Sequence, residues 1–350
     1  MQEPVNHLTE TAVSQQSAQV IQIQPTGNGR TVLYILLSVI VGFMLPVISC
    51  IMFFGISLIS VGLSGTTTAA PIGTGDAVAI IEVNGTITSG DENDISATGD
   101  TVSGVVIADL EKAADDDTVK AIILRVDSPG GTVTGAAQIY EALLEIDKPI
   151  VVSMGSLAAS GGYYISAPAD YIIARPDTFT GSLGVVMTLF NAEELITELG
   201  VEVNAITSGP NKTIGSTWEA LTPEQHDILQ TIVDEAYDNF VQVIVDGRGL
   251  SEEEVRTLAD GRIYTGKQAL ANGLVDELGN LDDAIAKAAE LGGISGEPRI
   301  VRYEHVPTLT QLLLGVSSRY TQSDAERVME AVNDLTTPTL EYRYYGPGGR

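Results

Sequence analysis

Apolar and polar positions alternate in short blocks from about residue 77 onward. Three apolar runs have the length of buried strands, at Ala77–Val83, Val119–Val126 and Pro149–Ser153. Between them, the spacing of apolar residues predicts helices over Val102–Ala114 and Thr134–Ile146. This alternation of strand and helix is typical of a mostly parallel sheet covered by helices.

The same pattern continues beyond the third strand. It predicts one more helix start and two strands, at Ser160–Ala167, Tyr171–Ala174 and Val203–Thr207. Thr222 with Gln225 has the spacing of a capping box and opens a long helix to about Val245, and Ser251 with Glu254 opens the next helix. We therefore expect one α/β domain over residues 77–300.

The longest apolar run precedes that domain. No residue between Arg30 and Asp76 is charged, and Val32–Leu63 is almost wholly apolar. A bilayer core of about 30 Å needs about 20 helical residues, so the run predicts one transmembrane anchor at residues 31–63. Pro46 leaves a re-entrant hairpin as an alternative. Arg30 favours a cytoplasmic N-terminus and an extracytoplasmic domain at the cell membrane.

The remaining segments show no sustained periodicity in their apolar residues. Residues 1–30 are polar and rich in Gln, which predicts a disordered tail. Residues 64–76 have the composition of a flexible linker. Residues 301–350 form a C-terminal extension that we expect to be partly flexible, with one capped helix at Ser323–Leu335.

Charge is distributed unevenly along the chain. The 350 residues hold 18 Lys and Arg against 46 Asp and Glu, yet the mean hydropathy is +0.18. Only Glu3, Glu10 and Arg30 are charged before residue 66, so the acidity belongs to the part after the predicted anchor. Such acidity argues against nucleic acid as a partner.

Metal and cofactor chemistry have little support in the sequence. Cys50 is the only cysteine, which excludes a disulfide framework and a Cys-rich metal site. Metal-ligand spacing and a phosphate-binding loop are absent from the sequence. His7, His226 and His305 lie in no catalytic motif, so a Ser-His-Asp triad is weakly supported. We expect neither a metal nor a cofactor.

Two segments of small residues are the candidates for chemistry. Asp127–Gly131 follows the second predicted strand and Gly155–Tyr164 follows the third. Ligands of α/β sheets bind where parallel strands end. Glycines allow backbone N–H groups to approach a substrate there, and a serine at a helix N-terminus favours a developing oxyanion. Tight packing of helix on strand is the alternative explanation for these small residues.

These segments resemble the signal peptide peptidase A (SppA) family of serine peptidases. The resemblance is carried by DSPGG at Asp127–Gly131, SMGSLAASGGYYIS at Ser153–Ser166, TGSLGV at Thr180–Val185, the region of Lys212, and ADGRIYTGKQALANGLVDELG at Ala259–Gly279. The fold it implies is α/β and Clp protease/crotonase-like, with repeated ββα units and a mostly parallel sheet, here preceded by one transmembrane helix.

The resemblance implies a Ser/Lys dyad. Ser160 matches the nucleophile, Lys212 the general base, and Ser182 the serine that hydrogen-bonds that lysine. Gly130 or Gly131, together with Gly161, matches the donors of the oxyanion hole. The resemblance also implies a homo-oligomeric ring, with an octamer as the expected size, in which Ser and Lys of one site can come from adjacent subunits.

A lysine base requires a dry pocket. An ordinary lysine has a pKa of about 10.4 and is protonated, and burial lowers that pKa toward the working range. Ser208–Thr217 contains no carboxylate, in agreement with such a pocket. We expect Tyr163, Tyr164 or Leu157 to line an apolar groove, unless they belong to the core.

The implied function is an endopeptidase that degrades cleaved signal peptides and other short apolar peptides at the lipid bilayer. In some relatives the C-terminal tail lies in the groove, which leaves self-inhibition or trimming open here. A catalytically silent membrane scaffold of the same fold is the first alternative. A crotonase-type acyl-CoA enzyme is the second, although it requires a basic nucleotide-binding surface that this acidic domain lacks.

Overall fold

The computed structural model of the chain describes residues 75–92, 94, 99–303 and 339–346, together with isolated positions between residues 33 and 49. The predicted tail, anchor and linker lie almost entirely outside these described residues, as does the predicted helix Ser323–Leu335. Among the described residues, no helix has both the length and the apolar character that crossing a bilayer requires.

Strands and helices alternate through the described part of the chain. Its strands are β1 (Ala77–Asn84), β2 (Ile87–Thr88), β3 (Thr101–Val102), β4 (Val119–Ser128), β5 (Gly130–Thr132), β6 (Ile150–Ala159), β7 (Tyr171–Ala174), β8 (Phe179–Gly181), β9 (Val186–Met187), β10 (Ile263–Thr265), β11 (Glu277–Leu278), β12 (Arg299–Arg302) and β13 (Leu340–Arg343). Its helices are α1 (Ser103–Asp115), α2 (Val133–Leu144), α3 (Gly161–Tyr164), α4 (Glu193–Glu198), α5 (Pro223–Arg248), α6 (Glu252–Leu258), α7 (Gly266–Ala271) and α8 (Leu281–Leu291).

The main sheet is mostly parallel, as predicted. Its strand order is β10-β8-β6-β4-β1-β12, with β7 paired to both β6 and β11. Only the pairing of β10 with β8 is antiparallel among the described strands of this sheet. The ten-residue strand β6 changes partner along its length: Val151–Ser153 pair with β7, and Leu157–Ala159 pair with β8.

Both faces of this sheet are buried, which explains the continuous apolar runs of β1 and β4. Ala79 and Ile81 of β1 belong to a large core cluster that includes side chains of α1, α2 and α5. Val78 and Ile80 point the other way, into a smaller cluster that α8 covers with Ala284 and Ala288. Alternate residues of one strand therefore stabilise two layers of helices.

A second sheet contains the last described strand. Its order is β3-β2-β5-β13-β9, and β13 lies antiparallel to both of its neighbours. Tyr342 of β13 stands opposite Gly131 of β5, and Glu341 stands opposite Val186 of β9. Residues near position 340 are thereby paired with two segments that lie far from them in the sequence.

The predicted helix starts at Thr222 and Ser251 are confirmed, each with a complete capping box. The predicted strand at Val203–Thr207 is wrong, because these residues have no regular structure and are exposed. Ile206 is fully exposed, and the described residues provide no neighbouring strand to pair with this segment. Apolar composition alone therefore suggested a strand that the described chain does not form.

Two further predictions need correction near the third strand. The strand predicted at Pro149–Ser153 continues to Ala159, so part of the small-residue segment is strand. At Gly155 the extended strand passes close to the side chain of Asp127. Only glycine fits there, because a Cβ would stand 2.7 Å from Cγ of Asp127. The helix predicted at Ser160–Ala167 is a single turn, Gly161–Tyr164.

Removing a core side chain from the main sheet tests this architecture. Leu124 in β4 is fully buried, so we expect Leu124→Ala to lower the free energy of unfolding by about 2–5 kcal/mol. Leu144→Ala is the matched control, because Leu144 is 58% exposed and its loss costs less than about 0.5 kcal/mol. Chemical denaturation of the full chain measures both, and equal losses would contradict the described core.

Candidate active site

The candidate residues lie where neighbouring parallel strands end. Strands β4, β6 and β8 are adjacent in the main sheet, and their carboxyl ends lie at one edge. Ala159 pairs with Gly181 at the last position of β6 and β8. Ser160 and Ser182 are therefore the next residues on two strands in register, at the edge where α/β sheets place their ligands.

Ser160 occupies a strained turn between β6 and α3. Its φ is +52° and its ψ is −116°, a conformation that costs a non-glycine residue free energy and is found at functional turns from strand to helix. Its backbone N–H donates to the carbonyl of Gly181 at 2.7 Å. The side chain is fully buried, and its Oγ has no hydrogen-bond partner among the described residues.

Ser182 shares this unusual backbone. Its φ is +50°, and Ser160 and Ser182 are the two non-glycine residues with positive φ in the described chain. Its N–H donates to the carbonyl of Arg262 at 2.7 Å, which holds the turn after β8 to the segment before β10. Ser182 is half-buried, next in sequence to the carbonyl that receives the N–H of Ser160.

Glycines surround Ser160 in a space that admits no side chain. A Cβ on Gly130, whose φ is +92°, would stand 2.5 Å from the nitrogen of Gly161 and would overlap the carbonyl oxygen of Tyr342. A Cβ on Gly161 would stand 3.2 Å from the nitrogen of Gly131. The N–H of Gly130 donates to Ser128 Oγ at 3.0 Å. The N–H of Gly130 is therefore already used within its own loop.

The polar residues of the DSPGG segment hold these glycines in place. Ser128 Oγ donates to the carbonyl of Gly85 at 2.6 Å while it accepts from Gly130. Oδ1 of Asp127 accepts from the N–H of Leu157 at 3.0 Å. These bonds join the ends of β1, β4 and β6, so Asp127 and Ser128 are fully explained as supports of the loop.

Lys212 lies on a turn that the structure does not join to Ser160. Its side chain is exposed and makes no hydrogen bond or ion pair with the described residues. The turn itself is held to the start of α5, because Gln225 Nε2 donates to the carbonyl of Pro210 at 3.2 Å. Asn211 Nδ2 donates to Glu224 at 3.4 Å beside it. The pairing of Lys212 with Ser160 stays a prediction.

The strand β13 lies beside the candidate site; the sequence analysis left a C-terminal tail in the groove open but predicted no strand at residues 340–343. The carbonyl oxygen of Tyr342 lies 3.0 Å from the position of a Cβ on Gly161, directly beside the turn of Ser160. The N–H of Tyr344 donates to the carbonyl of Pro129 at 2.8 Å. The alternation of Leu340 and Tyr342 with charged residues is a strand signal that could have indicated it.

The three residues expected to line a groove are all buried. Tyr164 belongs to the core cluster: it is buried, its ring stacks on that of Tyr342 with centroids 4.9 Å apart, and burial raises the pKa of Tyr164 to about 12. Tyr163 belongs to the core, where its hydroxyl donates to the carbonyl of Leu274 at 2.7 Å. Leu157 is buried in β6.

The structure describes one of the three histidines, His226. His226 is on the exposed side of α5, with Nδ1 3.6 Å from a carboxylate oxygen of its neighbour Asp227. His7 and His305 lie outside the described residues. Within the described part of the chain, no group of three or more His, Cys, Asp and Glu side chains could hold a metal ion.

Substituting Gly130 tests the contact between β13 and the site. We expect Gly130→Ala to expel β13, because the added methyl group overlaps the Tyr342 carbonyl and the backbone has positive φ. Hydrogen exchange of residues 340–343 should become at least about tenfold faster. Gly296→Ala is the control, since Gly296 also has φ +92° but has open space around it. Unchanged protection in Gly130→Ala would contradict the described contact.

Comparisons with known proteins find family models and relatives that match this chain. The family model of Peptidase family S49 matches residues 142–295, and that of Clp protease matches residues 91–177. Protease 4 of Salmonella typhi is 39% identical over 247 residues, which are 70% of this chain and 39% of the relative. The chain thus spans about two fifths of that protein.

Other relatives cover the chain differently. A relative from Synechocystis sp. is 40% identical over 238 residues, 66% of this chain and 85% of its own length. The chloroplastic serine protease SPPA of Arabidopsis thaliana is 29% identical over 302 residues, 84% of this chain and 43% of the relative. The predicted resemblance to SppA proteins is therefore confirmed, and the chain belongs to peptidase family S49.

Proposed function

We propose that the chain is a membrane-anchored serine endopeptidase with a dyad of Ser160 and Lys212. The observation that carries the proposal is the hydroxyl of Ser160, which is buried, has no partner among the described residues and sits on a strained turn. Leaving a buried hydroxyl unpaired costs about 1–3 kcal/mol. Such a cost is understandable for a nucleophile that must be free to attack, and not for a residue that only packs.

The groove beside Ser160 supports a peptide as the substrate. Residues 340–343 lie there in extended conformation, antiparallel to β5 and β9. Backbone pairing of this kind accepts many sequences, because main-chain hydrogen bonds give affinity and side-chain pockets give selectivity. A substrate peptide would take the same place between the two strands, with one carbonyl against the amides of Gly131 and Gly161.

The proposed reaction is acyl transfer through a covalent intermediate. Ser160 Oγ attacks the substrate carbonyl carbon while neutral Lys212 takes its proton, and the oxyanion accepts hydrogen bonds from Gly131 and Gly161. The C–N bond then breaks, and the Lys212 ammonium returns its proton to the leaving amine. Water hydrolyses the resulting ester with Lys212 again as base, which restores Ser160. Ser182 orients the lysine.

Lys212 can act as a base only where it is shielded from water and from the acidity of the chain. The single chain leaves it exposed. The neighbouring segment presents several exposed apolar side chains, which are Leu195, Leu199, Val201, Val203 and Ile206. Exposed apolar patches mark interaction surfaces. We therefore infer a homo-oligomeric ring, with an octamer as the expected size, in which a second copy covers this segment and the turn of Lys212.

The proposed substrates follow from the proposed anchor. A domain held at the membrane by residues 31–63 meets short apolar peptides that leave the bilayer, so cleaved signal peptides are the expected substrate class. With residues 1–30 in the cytoplasm, the domain faces the extracytoplasmic side. The apolar run and the single nearby Arg30 support this placement.

Two other functions fit the fold less well. A silent scaffold would have no need for the strained and unpaired Ser160. An acyl-CoA enzyme would bind a nucleotide through basic side chains, whereas 44 acidic and 17 basic residues follow position 65. A serine-reactive fluorophosphonate distinguishes these three functions, because only a peptidase should be labelled at Ser160.

Lysine and serine variants test the dyad. We expect Ser160→Ala and Lys212→Ala each to lower peptide hydrolysis by at least about 10³-fold and to abolish fluorophosphonate labelling, because nucleophile and base act as a unit. Turnover of a quenched fluorescent peptide by the full chain measures the first effect.

The controls replace one lysine and one serine at other, exposed positions. Lys267 and Ser295 are exposed, so Lys267→Ala and Ser295→Ala should keep full activity. All four variants should retain the cooperative unfolding of the parent chain. Near-normal hydrolysis by Lys212→Ala would exclude the dyad, and a labelled Ser160→Ala would place the nucleophile elsewhere.

Deletion of the apolar run tests the anchor. We expect the chain without residues 31–63 to move from the membrane fraction to the soluble fraction, because it loses a run long enough to span the bilayer. Deletion of residues 1–30 is the control and should leave the chain in the membrane fraction. If the chain without residues 31–63 stayed in the membrane fraction after a carbonate wash, the prediction of a single anchor would be contradicted.

A further inference from the structure

The one-turn helix α3 fixes the direction of the N–H of Gly161, the residue directly after Ser160. The carbonyl oxygen of Ser160 accepts from the N–H of Tyr163 at 2.9 Å and from the N–H of Tyr164 at 2.8 Å. No peptide bond in the described chain is cis, and a trans peptide unit is planar with its C=O and N–H on opposite sides. The Ser160 carbonyl points into the helix turn, so the N–H of Gly161 in the same unit points out of it.

The peptide unit between Gly162 and Tyr163 repeats this arrangement. Its N–H is the group that donates to Ser160, so its carbonyl, that of Gly162, points the opposite way. That carbonyl accepts from the hydroxyl of Ser166 at 2.6 Å, and Ser166 is fully buried. Two peptide units thus lie in line between the Ser166 hydroxyl and the N–H of Gly161. Because aligned hydrogen bonds polarise one another, the hydroxyl at one end strengthens the donor at the other.

The side chain of Tyr163 ties the same turn to a distant part of the fold. It is fully buried, and its hydroxyl donates to the carbonyl of Leu274 at 2.7 Å. Burial raises the pKa of Tyr163 above its ordinary value, so the hydroxyl keeps its proton. The segment of Leu274 is bound to β7, because the carboxylate of Asp276 accepts from the N–H of Ile172 at 2.7 Å and the N–H of Asp276 donates to the carbonyl of Ile172 at 2.9 Å. Tyr163 therefore holds α3 against the main sheet.

We infer that Tyr163 and Ser166 are positioning residues, which aim the N–H of Gly161 at the oxyanion of the reaction. The inference rests on the proposed peptidase function and adds to it the side chains that hold one of the two oxyanion donors. Neither hydroxyl is bonded to Ser160 Oγ, which has no hydrogen-bond partner among the described residues. Both act through the backbone, and the direction matters because a donor stabilises an oxyanion only when it is aimed at the developing charge.

Removal of the two hydroxyls tests the inference in the full chain. We expect Tyr163→Phe and Ser166→Ala each to lower kcat for a quenched fluorescent peptide by about tenfold, the ratio that one net hydrogen bond provides. KM should stay unchanged, because the oxyanion exists only after the substrate has been attacked. The rate of fluorophosphonate labelling should fall by the same factor, since the phosphonyl oxygen takes the place of the oxyanion.

Two control variants remove comparable hydroxyls elsewhere. Tyr237 also donates to a backbone carbonyl, that of Ala259 at 2.9 Å. Thr257 donates to the carbonyl four residues before it, that of Glu253 at 2.8 Å, as Ser166 does to Gly162. Tyr237→Phe and Thr257→Val should therefore keep the kcat of the parent chain. Chemical denaturation of all four variants shows whether each one unfolds cooperatively, so that kcat is compared between folded chains.

Hydrogen exchange reads the turn directly. The amides of residues 163 and 164, which donate to the Ser160 carbonyl, should exchange about tenfold faster in Tyr163→Phe and in Ser166→Ala, because each variant loses one bond that holds α3. The two control variants should leave these amides unchanged. If Tyr163→Phe does not unfold cooperatively, Ser166→Ala alone decides.

The outcomes separate the inference from the proposed function. Lower kcat at constant KM, together with faster exchange of residues 163 and 164, would support both. If the parent chain cleaves peptides and the variants keep its kcat, or lose activity without any change in exchange, the positioning role is overturned and the peptidase stands. An equal loss of kcat in the controls overturns the positioning role as well. If the parent chain cleaves no peptide and Ser160 stays unlabelled, the proposed function fails and the positioning role fails with it.

Discussion

The close approach of backbone segments at the carboxyl edge of the main sheet is the constraint on which the candidate site depends. A Cβ on Gly131 would overlap the carbonyl of Ile87, and a Cβ on Gly162 would stand 2.9 Å from the carbonyl of Ser128. Only residues without side chains allow β2, β5 and the turn of Ser160 to meet. The same closeness brings the amides of Gly131 and Gly161 together. Tight packing was the alternative explanation for these small residues. In the structure, the same tight packing brings the residues of the candidate site together.

The two residues of the proposed dyad have different surroundings in an acidic domain. The domain is strongly acidic, which favours solubility but stabilises a lysine in its charged form. The single chain buries Ser160 completely and leaves Lys212 in solvent. The two halves of the proposed dyad thus have opposite environments, and a second copy that covers the apolar segment near Ile206 would reconcile them. In that view, assembly supplies the dry surroundings that the acidic surface of one subunit does not.

The last described strand, β13, belongs both to the fold and to the surroundings of the candidate site. β13 completes the second sheet between β5 and β9, so it contributes to the fold as well as covering the site. Its pairing is by backbone, which any peptide could imitate, whereas Tyr342 is held by rings and by the carbonyl of Ala236. Under the proposed function, a peptide would therefore displace a strand of this same chain in order to reach Ser160.

Local patterns in the sequence determined much of this protein. Apolar runs indicated β1, β4 and β7, and the capping residues at Thr222 and Ser251 marked two helix starts, because these signals act within a few residues. The resemblance to a known family led to Ser160 and Lys212. Tertiary structure alone decided that Val203–Thr207 forms no strand, since a strand needs a partner, and that residues 340–343 do form one. It also decided that Tyr163 and Tyr164 both belong to the core. Those outcomes depend on contacts between segments that are more than a hundred residues apart, which no local pattern can specify.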